Sequence, residues 1–245
     1  MIRIENLRKF YGRHSALAVP ALSLTPGVHW VQGANGSGKT TFFKILAGLL
    51  PFEGDIFLDR AALGDDVPTP SGSRLSFATS PDPAPPTEGI QPSLSLSLRK
   101  NPVDWRRMVN YGEAEPLYPA FVTGRELIRL FADGKRAPDG QVDRLLDQLG
   151  AGSFVDQTAG TYSSGMGKKL SLVLAFVGQP AVVLLDEPLI TLDHAAVEAV
   201  YGLVEDCRQR GTTLLISSHQ AFESGKLHFD SVLRVADRTV FKEGN

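Results

Sequence analysis

The chain has 245 residues, 42% of them apolar, with 25 Lys and Arg against 27 Asp and Glu for a formal net charge of -2. That length and composition fit one large domain and exclude a globally disordered chain, and without a basic excess no nucleic-acid partner is expected. The lone cysteine, Cys207, excludes an internal disulfide and a cysteine-built zinc site, and predicts a reducing compartment.

The opening Met1-Ile2-Arg3-Ile4-Glu5 lacks the apolar stretch of a signal peptide, and its alternation of apolar and charged residues reads as a strand. Val28 to Gln32 reads as a second strand feeding a glycine-rich turn. Beyond it Phe42, Phe43, Leu46, Leu49 and Leu50 recur at helical spacing until Pro51. A strand follows at 54–58. Residues 64–104 hold eight prolines among many serines, which predicts a surface loop or a partly disordered insertion. Thr123-Gly124-Arg125-Glu126 has capping-box spacing, so a helix is expected to about Gly134. Val142, Leu145, Leu146 and Leu149 mark another, closed by Gly150.

The last third reads as helix 168–177, strand 181–185, helix 195–209 and strand 212–217, with short strands at 231–235 and 239–242. Strands of nearly continuous apolar residues alternating with helices predict an α/β fold, its parallel sheet covered on both faces. No run is long enough to cross a bilayer, because Gly178-Gln179-Pro180 interrupts the best one. A membrane role therefore requires another chain.

Gly33-Ala34-Asn35-Gly36-Ser37-Gly38-Lys39-Thr40 fits the phosphate-loop pattern between strand and helix. Glycines let successive backbone N–H groups turn inward toward phosphate oxygens, and the helix start adds its own free N–H groups and positive dipole end. Lys39 is expected on the β- and γ-phosphates, Thr40 on Mg²⁺, and Thr41 among the nucleotide contacts. Downstream, Val182 to Leu185 runs into Asp186-Glu187. A carboxylate pair at the carboxyl end of a buried strand lies where such sheets place their ligands. Asp186 is assigned to Mg²⁺ and Glu187 to the attacking water.

Tyr162-Ser163-Ser164-Gly165-Met166, shortly before Asp186-Glu187, resembles the signature motif of the ATP-binding cassette family, and the likeness runs over most of the chain. The resemblance, closest in character to export-type members, implies a P-loop NTPase fold. It would have a mainly parallel sheet core, an N-terminal antiparallel β layer and an inserted helical subdomain. One domain, 1–245, is expected: a nucleotide-binding core at 1–110 and 166–245, and helices at about 111–165. In that family the signature of one subunit covers the γ-phosphate bound to the other. Ser163 and Gly165 would thus contact a partner's nucleotide. Tyr11 resembles the residue that stacks on adenine, Thr191-Leu192-Asp193 the loop between subunits, and His219 the switch histidine on the γ-phosphate.

The usual glutamine between phosphate loop and signature is absent; Glu113 takes its place as candidate metal ligand, with Glu115 second. Ser164 and Met166 replace signature residues. Lys168 and Lys169 are expected to form a solvated helix face. The resemblance implies an ATP hydrolase that uses ATP and Mg²⁺, with Glu187, His219 and Lys39 as catalytic groups. It implies a homodimer, or a heterodimer with a related cassette, on the cytoplasmic face of a membrane beneath a multi-span transport subunit. The alternatives are a non-hydrolysing regulatory cassette, or a soluble relative acting on nucleic acid or ribosomes.

Overall fold

The protein is described by a computed structural model covering residues 1–59, 95–219 and 222–243. The alternating apolar residues at its start put Ile2, Ile4 and Leu7 on one buried face of β1 (Ile2–Tyr11). Antiparallel partners flank it: β2 (His14–Leu24) on one side, β4 (Glu53–Asp59) on the other, and β5 (Ser95–Ser97) beyond β4. These four strands, in the order β2-β1-β4-β5, make the N-terminal antiparallel layer.

The second sheet has six strands. Two of them, β7 (Val182–Asp186) and β8 (Thr213–Ser217), are buried at every residue, as strands covered on both faces must be. With β3 (Gly27–Gln32), β6 (Val109–Gly112), β9 (Ser231–Ala236) and β10 (Thr239–Lys242) the order is β10-β9-β3-β8-β7-β6. Every pairing is parallel except β9 with β10. The α/β class and the mainly parallel core thus stand as expected.

Strand pleating sorts the core into two clusters. Val182 and Leu184 face the space between the sheets, which Phe42 and Phe43 of α1 (Lys39–Leu46) and Trp105 of α2 (Pro102–Met108) fill. Val183 and Leu185 face the other way, against α5 (Ser164–Phe176) and α6 (His194–Gln209). The helices α3 (Gly124–Lys135) and α4 (Gln141–Gln148) add Ile128, Leu145 and Leu146 to this second cluster. The capping box forms: Thr123 Oγ1 accepts from the Glu126 N–H while the Glu126 carboxylate accepts from Thr123 N–H.

Some expected boundaries move. The proline-rich stretch was expected to run as loop to 104, but its last ten residues contain β5 and the start of α2. Pro102 is the first residue of that helix, where a missing N–H costs nothing. The 64–94 part of that expectation lies outside the described residues. Tyr111 and Gly112 belong to β6, so the helical layer begins beyond them. α5 starts at Ser164, four residues ahead of expectation, because the Ser163 hydroxyl caps it by accepting from Met166 N–H at 3.3 Å. No helix among the described residues is long and apolar enough to cross a membrane.

Candidate functional site

Parallel strands end together, so everything that follows β3, β7 and β8 converges at one edge of the sheet. The turn after β3 is the glycine loop expected to hold phosphate. Gly36 and Gly38 hold φ of 74° and 112°, a region that side chains with a Cβ rarely enter. Gly38 is the N-cap of α1, and the first turn of that helix carries no acid, which leaves a helix start suited to an anion. A Cβ on Gly33 would come within 2.5 Å of both Ser37 Oγ and the Val235 carbonyl. Lys39 folds back over the loop, donating to the carbonyls of Gly33 at 2.7 Å and Ala34 at 3.1 Å. Burial pulls its ammonium below the ordinary lysine range, opposed by the carboxylates of Glu187 and Asp186.

At the end of β7, Thr40 Oγ1 donates to Asp186 Oδ2 at 2.7 Å, joining the head of α1 to the strand end. The same oxygen takes the Tyr111 hydroxyl at 3.3 Å, and the Ser217 hydroxyl donates to Asp186 Oδ1 at 2.5 Å. Burial, reinforced by the Asp186 and Glu113 carboxylates, pushes the Tyr111 phenol well above its ordinary range, so it stays a donor. Glu187 follows at φ 48°, a left-handed conformation that costs a non-glycine residue about 1–3 kcal/mol. It is fastened at both ends: its N–H reaches the Ser217 carbonyl and hydroxyl, each at 3.2 Å, and its Oε2 accepts from His219 N–H at 3.1 Å. Its buried Oε1 lies 3.3 Å from His219 Nε2, outside hydrogen-bond geometry, and has no donor among the described residues. His219 Nε2 is also 3.5 Å from Lys39 Nζ.

Beside the loop a cleft of about 440 Å³ is lined by Tyr11, Ser15, Ala16, Gly36, Ser37, Gly38, Thr41, Asp237 and Arg238. Tyr11 is half exposed there, with the Lys9 ammonium 4.8 Å from its ring centre. Ser163 and Gly165 do not line this cleft. Ser163 caps α5 and Gly165 lies in its first turn, where a Cβ would come within 2.8 Å of the Thr191 carbonyl, so the 163–166 segment and the 191–193 loop pack together. Glu113 is half-buried just past β6 and is anchored by its backbone rather than its carboxylate.

Residues 21–190, more than half of the chain, match the family described as ABC transporter. The chain belongs to the ABC transporter family. It is an ATP-binding cassette of that family. It is 28% identical over 230 residues to the retinal-specific phospholipid-transporting ATPase ABCA4 of Bos taurus, across 91% of this chain and 9% of that protein. The chain thus spans under a tenth of the length of such relatives. It is 26% identical over 220 residues to the lantibiotic transport ATP-binding protein SrtF of Streptococcus pyogenes, covering 89% of this chain and 80% of SrtF. Among solved structures, an ATP-binding subunit of an ABC transporter superposes with a TM-score of 0.75 at 20% identity, over 99% of this chain and 89% of that one. The cassette MJ0796, a dimer bound to ADP and phosphate in a post-hydrolysis state, gives 0.72 at 18% identity, over 99% and 98%.

Two lysines of the cassette depart from expectation. Lys168 is buried, its ammonium donating to the carbonyls of Glu113 at 2.7 Å and Asp186 at 2.8 Å. Burial lowers it to about 8, against the raising effect of Asp186, Glu187 and Glu113. Lys169 pairs with Asp193 at 2.5 Å and is largely covered. Neither forms a solvated face, because α5 is packed on nearly all sides between sheet and helices. Sequence reasoning also missed Tyr111 and Ser217, which complete the Asp186 shell, and Asp237 and Arg238, which line the cleft. Only Ser217 left a trace, as the polar end of the apolar run Leu214-Leu215-Ile216.

Proposed function

We propose that the cassette hydrolyses ATP through Glu187. Two cassettes would close head-to-tail over two MgATP and drive a membrane-embedded transport subunit from its cytoplasmic face. The observation that carries this reading is the placement of the Glu187 carboxylate on its left-handed backbone, with one buried oxygen lacking a donor among the described residues, beside His219, Lys39 and the Thr40–Asp186 pair.

In this reading Lys39 exchanges its loop carbonyls for phosphate oxygens, a swap of acceptors that needs little motion. The amides of 34–41 and the start of α1 bind the remaining phosphate charge. Tyr11 stacks on the base. A hard cation takes oxygen ligands, and the Thr40 hydroxyl with the Asp186 carboxylate supplies them, Glu113 being the further candidate. Bound Mg²⁺ would neutralise the phosphate oxygens. Tyr111 and Ser217 hold Asp186 in place. Glu187 Oε1 orients the attacking water and takes up its proton, and His219 sits where it can donate to the γ-phosphate.

The signature is supported as a partner's lid by position: Ser163 and Gly165 stand at a capped helix start yet line no part of their own chain's cleft. The shared fold of the ADP-bound dimer is consistent with it. Docking on a membrane subunit is supported by Leu117 and Phe121, 93% and 82% exposed in the segment leading to α3, where a large apolar side chain is poorly placed without a cover. A non-hydrolysing cassette is disfavoured because the Glu187–His219 arrangement is intact.

Size-exclusion chromatography with light scattering on Glu187→Gln tests the reading. Saturating MgATP is expected to convert monomer to dimer, and a species that stays monomeric overturns the head-to-tail closure.

A further inference from the structure

Lys168 costs the fold something that its site repays in no obvious way. A lysine 2% exposed has lost its hydration, and its ammonium faces three backbone carbonyls, of Glu113 (2.7 Å), Ala114 (3.4 Å) and Asp186 (2.8 Å), with no carboxylate paired to it among the described residues. An apolar residue of the same volume would fill the space without that penalty. What the ammonium provides is three donors aimed in fixed directions from one point.

Its acceptors belong to two separate elements. Asp186 ends β7 and is followed directly by Glu187. Glu113 and Ala114 open the segment beyond β6. One helical turn further along α5, the Ser171 hydroxyl accepts from Glu113 N–H at 2.9 Å. Residues three apart share a helix face, so Ser171 and Lys168 hold Glu113 on both sides of its Cα, at N–H and carbonyl, while Lys168 holds β7 with the same group. The neighbouring Lys169 ties this turn of α5 to Asp193.

We propose that Lys168 is a positioning residue that locks the signature end of α5, the end of β7 and the Glu113 segment into one body. Formation of the signature contact with a second cassette then sets the placement of Glu187. This rests on the head-to-tail reading for the role of the signature, but the lock itself lies wholly within one chain.

Lys168→Met keeps the stem and removes all three donors; Lys168→Arg keeps donors. ATP affinity of the isolated cassette should stay within about twofold in both, because the phosphate loop is untouched. Turnover at saturating ATP should fall at least about tenfold in Lys168→Met and recover most of the way in Lys168→Arg. Hydrogen exchange without nucleotide should show faster exchange at 113–115 in Lys168→Met. Parental turnover in a folded Lys168→Met, or a loss that follows an equal loss of ATP affinity, overturns the proposal. So does unchanged exchange at 113–115. Ser171→Ala leaves the charge in place and provides the same readings where Lys168→Met fails to fold, with about a threefold fall in turnover expected. Because exchange is read on one chain, a wild type that never dimerises would sink the head-to-tail reading and leave the lock standing.

Discussion

Glu187 and His219 meet at two points: the backbone N–H of His219 reaches Oε2 at 3.1 Å, and its ring nitrogen lies 3.3 Å from Oε1. The carboxylate is thus aimed by main chain, and its second oxygen stays open to a water. Removing its charge while keeping its shape should separate chemistry from binding. Glu187→Gln is expected to lower ATP hydrolysis by about 10²- to 10⁴-fold with ATP affinity near wild type, read by phosphate release and calorimetry. Wild-type turnover in this variant would deny Glu187 the role of base.

Lys39 already makes two hydrogen bonds to its own loop, so its loss is felt by loop and ligand alike. A charge-assisted hydrogen bond contributes about 1.5–3 kcal/mol. Lys39→Ala should therefore weaken ATP binding by roughly tenfold to a hundredfold, measured by titration calorimetry with magnesium. Affinity unchanged from the parent would remove the lysine from the phosphate site.

Tyr11 on one wall of the cleft and Arg238 on another predict a different signature. Base stacking on an aromatic ring contributes about 1–3 kcal/mol. Tyr11→Ala should raise KM for ATP at least about fivefold with kcat retained, and Arg238→Ala should raise it less. A fall in kcat at constant KM for either would place that residue in the chemistry instead of the binding of base and ribose.

The strand–turn–helix placement of 33–40 was legible because closely spaced glycines between an apolar strand and a helical repeat spell it, and the strand-end placement of Asp186-Glu187 because a buried strand announces its own end. The rest of the shell was not, because it is assembled by sheet order. Tyr111 and Ser217 reach Asp186 only since β6 and β8 flank β7, a neighbourhood no local pattern encodes. Lys168 was misread for a related reason. Its acceptors come from residues 18, 54 and 55 positions away, whereas a lysine read within its own helix turn is indistinguishable from a solvated one. Pro102 misled in the other direction, counted with the loop prolines although the first position of a helix favours it.

Lys135 offers a test by pH. At the end of α3 its ammonium donates to the carbonyls of Arg106 and of Val109 (2.9 Å), and burial lowers it to about 8. The unfolded chain binds that proton up to about pH 10.4, so between the two values the unfolded state carries more protons and stability rises with pH. Below pH 8 both states are charged and the full penalty of burial is present. Urea denaturation at pH 7 and pH 9.5 should show this gain, reduced in Lys135→Met. An equal pH slope in that variant would assign the effect to other groups, Lys168 first among them.

Thr40 and Asp186, in contact at 2.7 Å, are 146 residues apart along the chain. A polypeptide leaving the ribosome has its glycine loop early but nothing to complete it until β8 has paired with β3 and β7 with β8. Nucleotide can then only reward the finished sheet, so ATP should act as a folding ligand, raising the melting temperature of the whole unit as its concentration climbs past Kd.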